Sequence, residues 1–397
     1  MRRLGRKYER FWVAVAASSL GDGLLVTGLP LLARETSKNP VVVASVFAAS
    51  RVPFIFGLII GAFVDRRDAR KVLVGSDLVR AVVLSLVGAF LLLSSRPMPI
   101  WALLLLSTVL STGSAIFFSA TQRVVPYLVP TEDFDQANSQ IQTTIISGEQ
   151  FIGPPLGAVF LTGGKIPVIG DAISFAASAA ILSRLDPIPP APSTSSLADD
   201  VRTGWAWFRN SEAIQTITAV TTVLTALTGA VLATEVVLIQ DTLMMSKVWF
   251  GVFTAVMAAG SVVGGIVATR LINAFGSSTY PLGIVLCGLS YLACFGSRSW
   301  VVVFVAMFVQ QAATMVGLVA SLGIRQRIIP SDLRGRVISL TRAIAFTIQL
   351  FGALIGGLVA KQFGTDPIFA ICGAGLVLTG VVTARRLILL LNTHDPR

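Results

Sequence analysis

Two stretches of this chain, half its length apart, close in the same way. Arg123-Val124-Val125-Pro126-Tyr127-Leu128-Val129-Pro130 ends one apolar segment and Arg325-Gln326-Arg327-Ile328-Ile329-Pro330 ends another, so Pro130 and Pro330 stand 200 residues apart. With one residue deleted after them, Asp133 matches Asp332, Gln150 matches Gln349, Gly153 matches Gly352 and Gly157 matches Gly356. Hydrophobicity alone does not select shared Pro, Asp and Gly. A chain of 397 residues that is apolar throughout and duplicated at half its length is expected to build two similar helical bundles in a membrane. A site between two such halves, able to rock, is how many secondary transporters are made.

Composition narrows the class. Hydrophobic residues make up 54% of the chain and charged residues 13%, about half the share of charge in a soluble domain. Mean hydropathy is +0.79. Cys287, Cys294 and Cys372 all sit in apolar runs and offer neither metal spacing nor a disulfide framework. The only histidine, His394, lies in the C-terminal tail, so no histidine proton relay and no histidine-ligated metal is expected. Gly163-Gly164-Lys165 is followed by Ile166 and lacks the rest of a Walker A loop, so ATP hydrolysis is not expected. The expectation is a protein that is not an enzyme and holds no metal or cofactor.

A membrane helix needs about 20 apolar residues. Twelve such spans are legible: 11–33, 41–64, 72–94, 100–122, 138–162, 167–184, 213–238, 249–270, 280–296, 300–324, 337–360 and 367–390. The first is too long, and too polar at its centre, for a cleaved signal peptide. The expected domains are 1–185, a linker 186–211 and 212–397. The linker opens Asp186-Pro187-Ile188-Pro189-Pro190-Ala191-Pro192, which cannot continue a membrane helix. Leu197 to Phe208, with Trp205 and Trp207, reads as a short amphipathic helix on the inner surface, or as a disordered link.

The formal net charge of +11 raises nucleic acid as a partner, but the positions of the charges argue otherwise. With the N-terminus in the cytoplasm, Arg2, Arg3, Arg6, Lys7, Arg66, Arg67, Arg70, Lys71, Arg123, Arg325 and Arg327 all fall inside, with many more. The outer loops hold only Arg34, Lys38, Arg96, Lys165, Lys247, Arg298 and Lys361. This bias predicts both termini inside a bacterial inner membrane and an affinity for anionic lipids, not nucleic acid.

Ionisable residues inside spans are costly unless paired or hydrated, so each is a functional candidate. Asp22, Arg51 and Glu149 lie at comparable depth in the first half. One permanent cation cannot neutralise two acids, so one carboxyl is left to carry a proton; the other reading is a static ion pair that fixes packing. Glu235 lies nearer the outer end of its span, as a further proton site or a hydrated surface group. Gln150, Gln310 and Gln311, with Gln142, are candidates for substrate contact or for interhelical hydrogen bonds.

The loop after the second span reads Gly61-Ala62-Phe63-Val64-Asp65-Arg66-Arg67-Asp68-Ala69-Arg70-Lys71. It resembles motif A of the major facilitator superfamily, with Gly61, Asp65, Arg66 and Arg70 on its positions. Asp68 stands where the motif has Gly, and Ala69 where it has a basic residue. The resemblance implies a gate, in which Gly61 lets two helices approach and Asp65 faces the basic loop; Asp77 and Arg80, one turn apart, extend it. Gly148-Glu149-Gln150-Phe151-Ile152-Gly153-Pro154-Pro155-Leu156-Gly157 resembles motif C of antiporters in that superfamily, through Gly153, Pro154 and Gly157. Ser18 to Leu24, Asp77 to Ala81, Pro126 to Asn138 and Arg334 to Val337 are similar to the drug:proton antiporters related to macrolide-efflux proteins. The resemblance implies an all-α membrane protein with twelve transmembrane helices in two six-helix bundles. It implies a monomer that exports amphipathic small molecules against protons by alternating access. A dedicated siderophore or antibiotic exporter and a lipid flippase are the alternatives.

Overall fold

The structure, a computed structural model, describes residues 4–94, 97–154, 156–157, 166–190, 197–330 and 333–392. Gly163 to Lys165, Arg96, Asp332, His394 and the side chain of Gln150 lie outside the described residues. The described residues are helical and contain no strand. That follows from the solvent: in hydrocarbon every backbone N–H and C=O must be paired within the protein, and a helix pairs its own.

The first half holds α1 (Arg6–Thr36), α2 (Pro40–Ile55), α3 (Gly57–Asp65), α4 (Ala69–Leu93), α5 (Ile100–Leu128), α6 (Phe134–Ile146) and α7 (Ile166–Leu182). The linker carries α8 (Leu197–Asn210), the helix expected there. The second half holds α9 (Glu212–Leu232), α10 (Lys247–Phe275), α11 (Thr279–Cys294), α12 (Trp300–Ile328), α13 (Arg334–Phe363) and α14 (Asp366–Asn392). Among the described residues these helices are consistent with the twelve expected crossings. The second is α2 and α3 together, bent by 53°. The fifth is α6 continued by a wide π-helical turn over Ser147–Ile152. Pro154 has no N–H to give the preceding turn, and such breaks are where π turns form.

Two compact units emerge. The first comprises Met1–Thr36, Phe56–Leu197 and Lys247–Ala255; the second comprises Ser37–Ile55, Ala198–Ser246 and Val256–Arg397. They follow the sequence halves except at α2, which packs along α13 in the second unit, and at the start of α10, whose Lys247 pairs with Glu35 of α1 in the first.

Within the first unit α7 packs on α1 and α4, and α5 on α4 and α3. One end of this unit is closed by a cluster of Tyr8, Phe11, Val64, Leu73, Val124, Ile141 and Leu182. The Asp68 carboxylate caps α4, accepting from the amides of Arg70 at 2.9 Å and Lys71 at 3.5 Å, and from Ile188 of the linker at 3.1 Å. In the second unit α9 packs on α13, and α11 on α12 and α14. On the outside the polarity is that of a lipid-facing surface. Val79, Val82, Leu86, Phe90 and Leu93 are all exposed at helical spacing on α4.

Candidate functional site: a buried charge cluster

Asp77 and Arg80, three residues apart on α4, share one face of that helix, and the face points into the first unit. Both side chains are fully buried. The Arg80 guanidinium donates through Nη1 to both Asp22 oxygens, at 2.9 and 3.1 Å, and to Ser114 Oγ at 3.3 Å. Through Nη2 it donates to Ser18 Oγ at 3.0 Å and to Asp77 Oδ1. Its planar face lies over Phe175 at 4.1 Å and Phe117 at 5.2 Å. Ser114 donates to Asp22 Oδ1 at 2.5 Å, and Ser18 to Asp77 Oδ1 at 3.3 Å. Ser18 and Asp22 are four residues apart on α1, so they too share a face.

Two glycines make room. A Cβ at Gly113 of α5 would fall 2.7 Å from Arg80 Cδ. A Cβ at Gly21 of α1 would fall 2.7 Å from Ser174 Oγ and 2.8 Å from the Phe175 ring, and would meet Asp171 Oδ1. Asp171, on α7, is 1% exposed. Ser174 donates to its Oδ1 at 3.3 Å, while its Oδ2 has no hydrogen-bond partner among the described residues. The cluster thus sets three carboxyl groups, Asp22, Asp77 and Asp171, against one guanidinium. Asp22 is the member with some access, its side chain being 14% exposed.

This arrangement corrects two expectations. Asp22 finds its cation in Arg80, not in Arg51. Arg51 belongs to the second unit and stands over the Phe47 ring at 4.6 Å. Arg80 and Asp77, in turn, do not extend the loop. They lie about two and three turns into α4, past the loop and inside the bundle. Asp171 falls within the span 167–184, where the rule for ionisable residues inside spans applies to it as it does to Asp22. Glu149 lies half-buried in the π-helical turn of the first unit.

The loop itself is held differently from what the motif suggests. Asp65 pairs with Arg123 of α5 at 3.5 Å, not with Arg66 or Arg70. Arg123 also donates to the carbonyls of Val64 at 2.7 Å, Arg67 at 3.1 Å and Pro189 at 2.9 Å, so it closes the end of α3. Arg70 donates to Leu185 O at 3.0 Å. Gly61 is not at a tight crossing, because a Cβ there would meet only Ser119 Oγ, at 4.0 Å.

The tight crossing is at the other motif. A Cβ at Gly153 would fall 2.5 Å from Gly23 Cα, and one at Gly157 would fall 2.5 Å from Thr27 Oγ1. Thr27 donates to Pro154 O at 2.9 Å. Ser19, Gly23 and Thr27, four residues apart on α1, form the small-residue face that receives this segment. The second unit repeats the pattern: Cβ atoms at Gly352 and Gly356 would meet Ala226 and Ala230 of α9.

In the second unit a cavity of about 270 Å³ is lined by Thr221, Thr228, Tyr280, Gln310, Gln311 and Gln349, with Leu224 and Leu318. Gln310 Nε2 donates to Thr314 Oγ1 at 2.9 Å. Arg325 is buried beside it and donates to Thr221 Oγ1 at 3.1 Å. Glu235 is not among the residues lining this cavity. It is 5% exposed, and its Oε1 has no hydrogen-bond partner among the described residues, which sets aside the reading of a hydrated surface group.

A profile of the family described as transmembrane secretion effector matches residues 5–395. The chain is similar to macrolide efflux protein A of Streptococcus pyogenes, 23% identical over 396 residues that cover 95% of each chain. It is also similar to the MFS-type transporter YfiS of Bacillus subtilis, 25% identical over 386 residues, 92% of this chain and 89% of that one. Among solved structures, the nucleoside transporter NupG superposes with a TM-score of 0.75 at 14% identity, covering 97% of this chain and 99% of that one. A bacterial homologue of the iron transporter ferroportin, in an inward-facing state, superposes with a TM-score of 0.74 at 15% identity, covering all of both chains.

Proposed function

Since the chain belongs to the transmembrane secretion effector family of major facilitator superfamily transporters, we propose that it exports amphipathic small molecules in exchange for protons. The observation that carries this reading is the charge cluster of the first unit. Arg80 neutralises one carboxylate. Two further carboxyl groups in the same dry pocket are stable only with a proton or a transient cation. A proton is the smallest group that meets the need.

The steps follow from the bonds. With Asp22 ionised, two charge-assisted hydrogen bonds tie α1 to α4 through Arg80, and Ser114 adds α5. A proton on Asp22 turns these into weaker neutral contacts and leaves Arg80 on Asp77 and Ser18. The junction of three helices is then looser. Protonation at one face of the membrane and release at the other would drive the two arrangements in turn.

The cavity of the second unit supplies the matching substrate chemistry. Its lining mixes leucines with threonine hydroxyls, a tyrosine and glutamine amides, and holds no acidic residue among those described. Such a wall, with the Arg325 guanidinium beside it, suits a neutral amphipathic molecule better than a metal ion. Export, not uptake, is favoured by the likeness to a macrolide efflux protein and by the Gly153-Pro154-Gly157 crossing. The same reading places the protein in a bacterial inner membrane as a monomer with both termini cytoplasmic.

Proton-gradient-driven accumulation of a fluorescent amphipathic dye in proteoliposomes tests it. Asp22→Asn and Asp171→Asn should each abolish uphill accumulation and leave dye binding within about threefold. A double variant that still accumulates dye at the wild-type rate would end this reading.

A further inference from the structure

The first unit holds a second recess, separate from the charge cluster. It is a crevice of about 730 Å³ between α3, α4 and α5, at the end of α4 that adjoins the α3–α4 loop. Its mouth is rimmed by Arg66, Arg67 and Lys71, all exposed. Its depth is lined by Val72, Val79, Val109 and Ile116. One acidic residue, Asp68, also reaches the lining. Its Oδ1 is held by three backbone amides, and against this one acid the three cations leave the rim net positive. Arg67 stacks on Phe63 at 4.0 Å, which fixes one guanidinium at the mouth.

The apolar depth does not end in the protein. Val79, 52% exposed, begins the stripe that runs on through Val82 and Leu86 along α4. On α5, Thr112, Thr108 and Val109 lead at helical spacing to Leu105, 57% exposed, and Trp101, 69% exposed. The crevice therefore opens sideways onto the lipid-facing surface, while its cationic rim sits at the level of the loop. A soluble anion would use the rim and leave the trough empty. A molecule with an anionic head and an acyl chain uses both.

We infer that this crevice is a binding site for an anionic phospholipid, its phosphate on Arg66, Arg67 and Lys71 and one acyl chain along Val79, Val109 and Ile116. Gly113 and Ser76, at the bottom of the crevice, bring the bound chain to the wall behind Arg80, whose Cδ packs on Gly113. Occupancy thus stiffens the α4–α5 contact on which the charge cluster rests.

Native mass spectrometry of the delipidated full chain, incubated with phosphatidylglycerol or phosphatidylcholine, tests the site. Wild-type protein should retain phosphatidylglycerol preferentially. The triple variant R66Q/R67Q/K71Q should lose at least about tenfold in affinity for it, each cation near an anionic lipid surface being worth roughly a fivefold change. R184Q/R209Q, which removes two exposed cations elsewhere, should lose little. Gly75 lines the crevice and a Cβ there meets nothing within 4 Å, so G75W sets its indole in the trough. G75W and V109W should each weaken phosphatidylglycerol at least fivefold with the rim intact. Equal losses in the two charge variants, or undiminished affinity in both tryptophan variants, would overturn the proposal. So would inorganic phosphate competing at the same site as effectively as the lipid.

Discussion

Arg80 of α4 and Asp22 of α1 meet through two hydrogen bonds of 2.9 and 3.1 Å, and no water-facing surface surrounds the arginine. A guanidinium suits this place because its planar fork reaches Asp22, Asp77, Ser18 and Ser114 together while its face stacks on Phe175. An ammonium on a flexible stem cannot do all of this.

Arg80→Gln should therefore be strongly destabilising, by about 3–5 kcal/mol, because it strands buried carboxylates. Arg80→Lys should fall between the wild type and Arg80→Gln. Adding Asp22→Asn to Arg80→Gln should restore part of the loss, since one stranded charge disappears. Thermal unfolding of the purified variants in one detergent measures this; strictly additive losses would mean that the two residues are not coupled.

Close backbone approach predicts which glycines tolerate a methyl group. Gly153→Ala and Gly352→Ala each place a Cβ against backbone of the neighbouring helix and should cost about 1–3 kcal/mol. Gly57→Ala meets nothing within 4 Å and should be neutral or slightly stabilising. Melting temperatures of the three variants check the order.

These two results also show where the sequence was readable. The duplicated Gly153/Gly157 and Gly352/Gly356 pairs were visible as letters, and each pair packs against the first helix of its own half, at Gly23 and Thr27 or at Ala226 and Ala230. Small residues in an apolar span have little other use, so the spacing was informative. The partner of Asp22 was not readable. Hydropathy gives the depth of a charge but not the side of the helix it occupies, and Arg51 and Arg80 both lie within spans. The i, i+3 spacing of Asp77 and Arg80 is legible in the sequence, but its inward direction depends on how α4 is turned against α1 and α7. Asp171 is legible by the same rule as Asp22, an ionisable residue inside a span.

The loop lock should separate into two strengths. Asp65 is about half exposed and 3.5 Å from Arg123, so Asp65→Asn should cost no more than about 1 kcal/mol. Arg123→Ala also removes donors to three carbonyls at the end of α3 and the linker, and should cost clearly more. Equal melting temperatures for the two would show that Arg123 acts only through Asp65.

At the loop surface Lys7 and Asp186 lie 2.5 Å apart, and the hydrogen bond and charge of Lys7, with Arg70 nearby, hold the Asp186 carboxyl below its ordinary range. A lowered folded-state value means that the pair stabilises fully above the ordinary aspartate range and fades as pH falls through the lowered value. The difference in melting temperature between wild type and Lys7→Gln should be small, largest at neutral pH and low salt, and should vanish in strong acid. A difference that does not change with pH would show that Lys7 acts through something other than Asp186.

Glu235, in the second unit, is the one buried acid outside the first-unit cluster among the described residues. Its side chain is buried, and Oε1 has no hydrogen-bond partner among the described residues. A carboxyl so placed is stable only with its proton on, and glutamine is nearly its isostere. Glu235→Gln should thus hold the stability within about 1 kcal/mol of wild type, whereas Glu235→Ala should lose about 2 kcal/mol or more through the cavity it opens. If the proton cycle runs through Asp22, Asp171 and Arg80, Glu235→Gln should keep at least half of the gradient-driven dye accumulation in liposomes. Asp171→Asn should keep almost none. The reverse outcome, loss in Glu235→Gln and retention in Asp171→Asn, would move the exchangeable proton to the second unit and leave the Asp22–Arg80 junction as a structural pair.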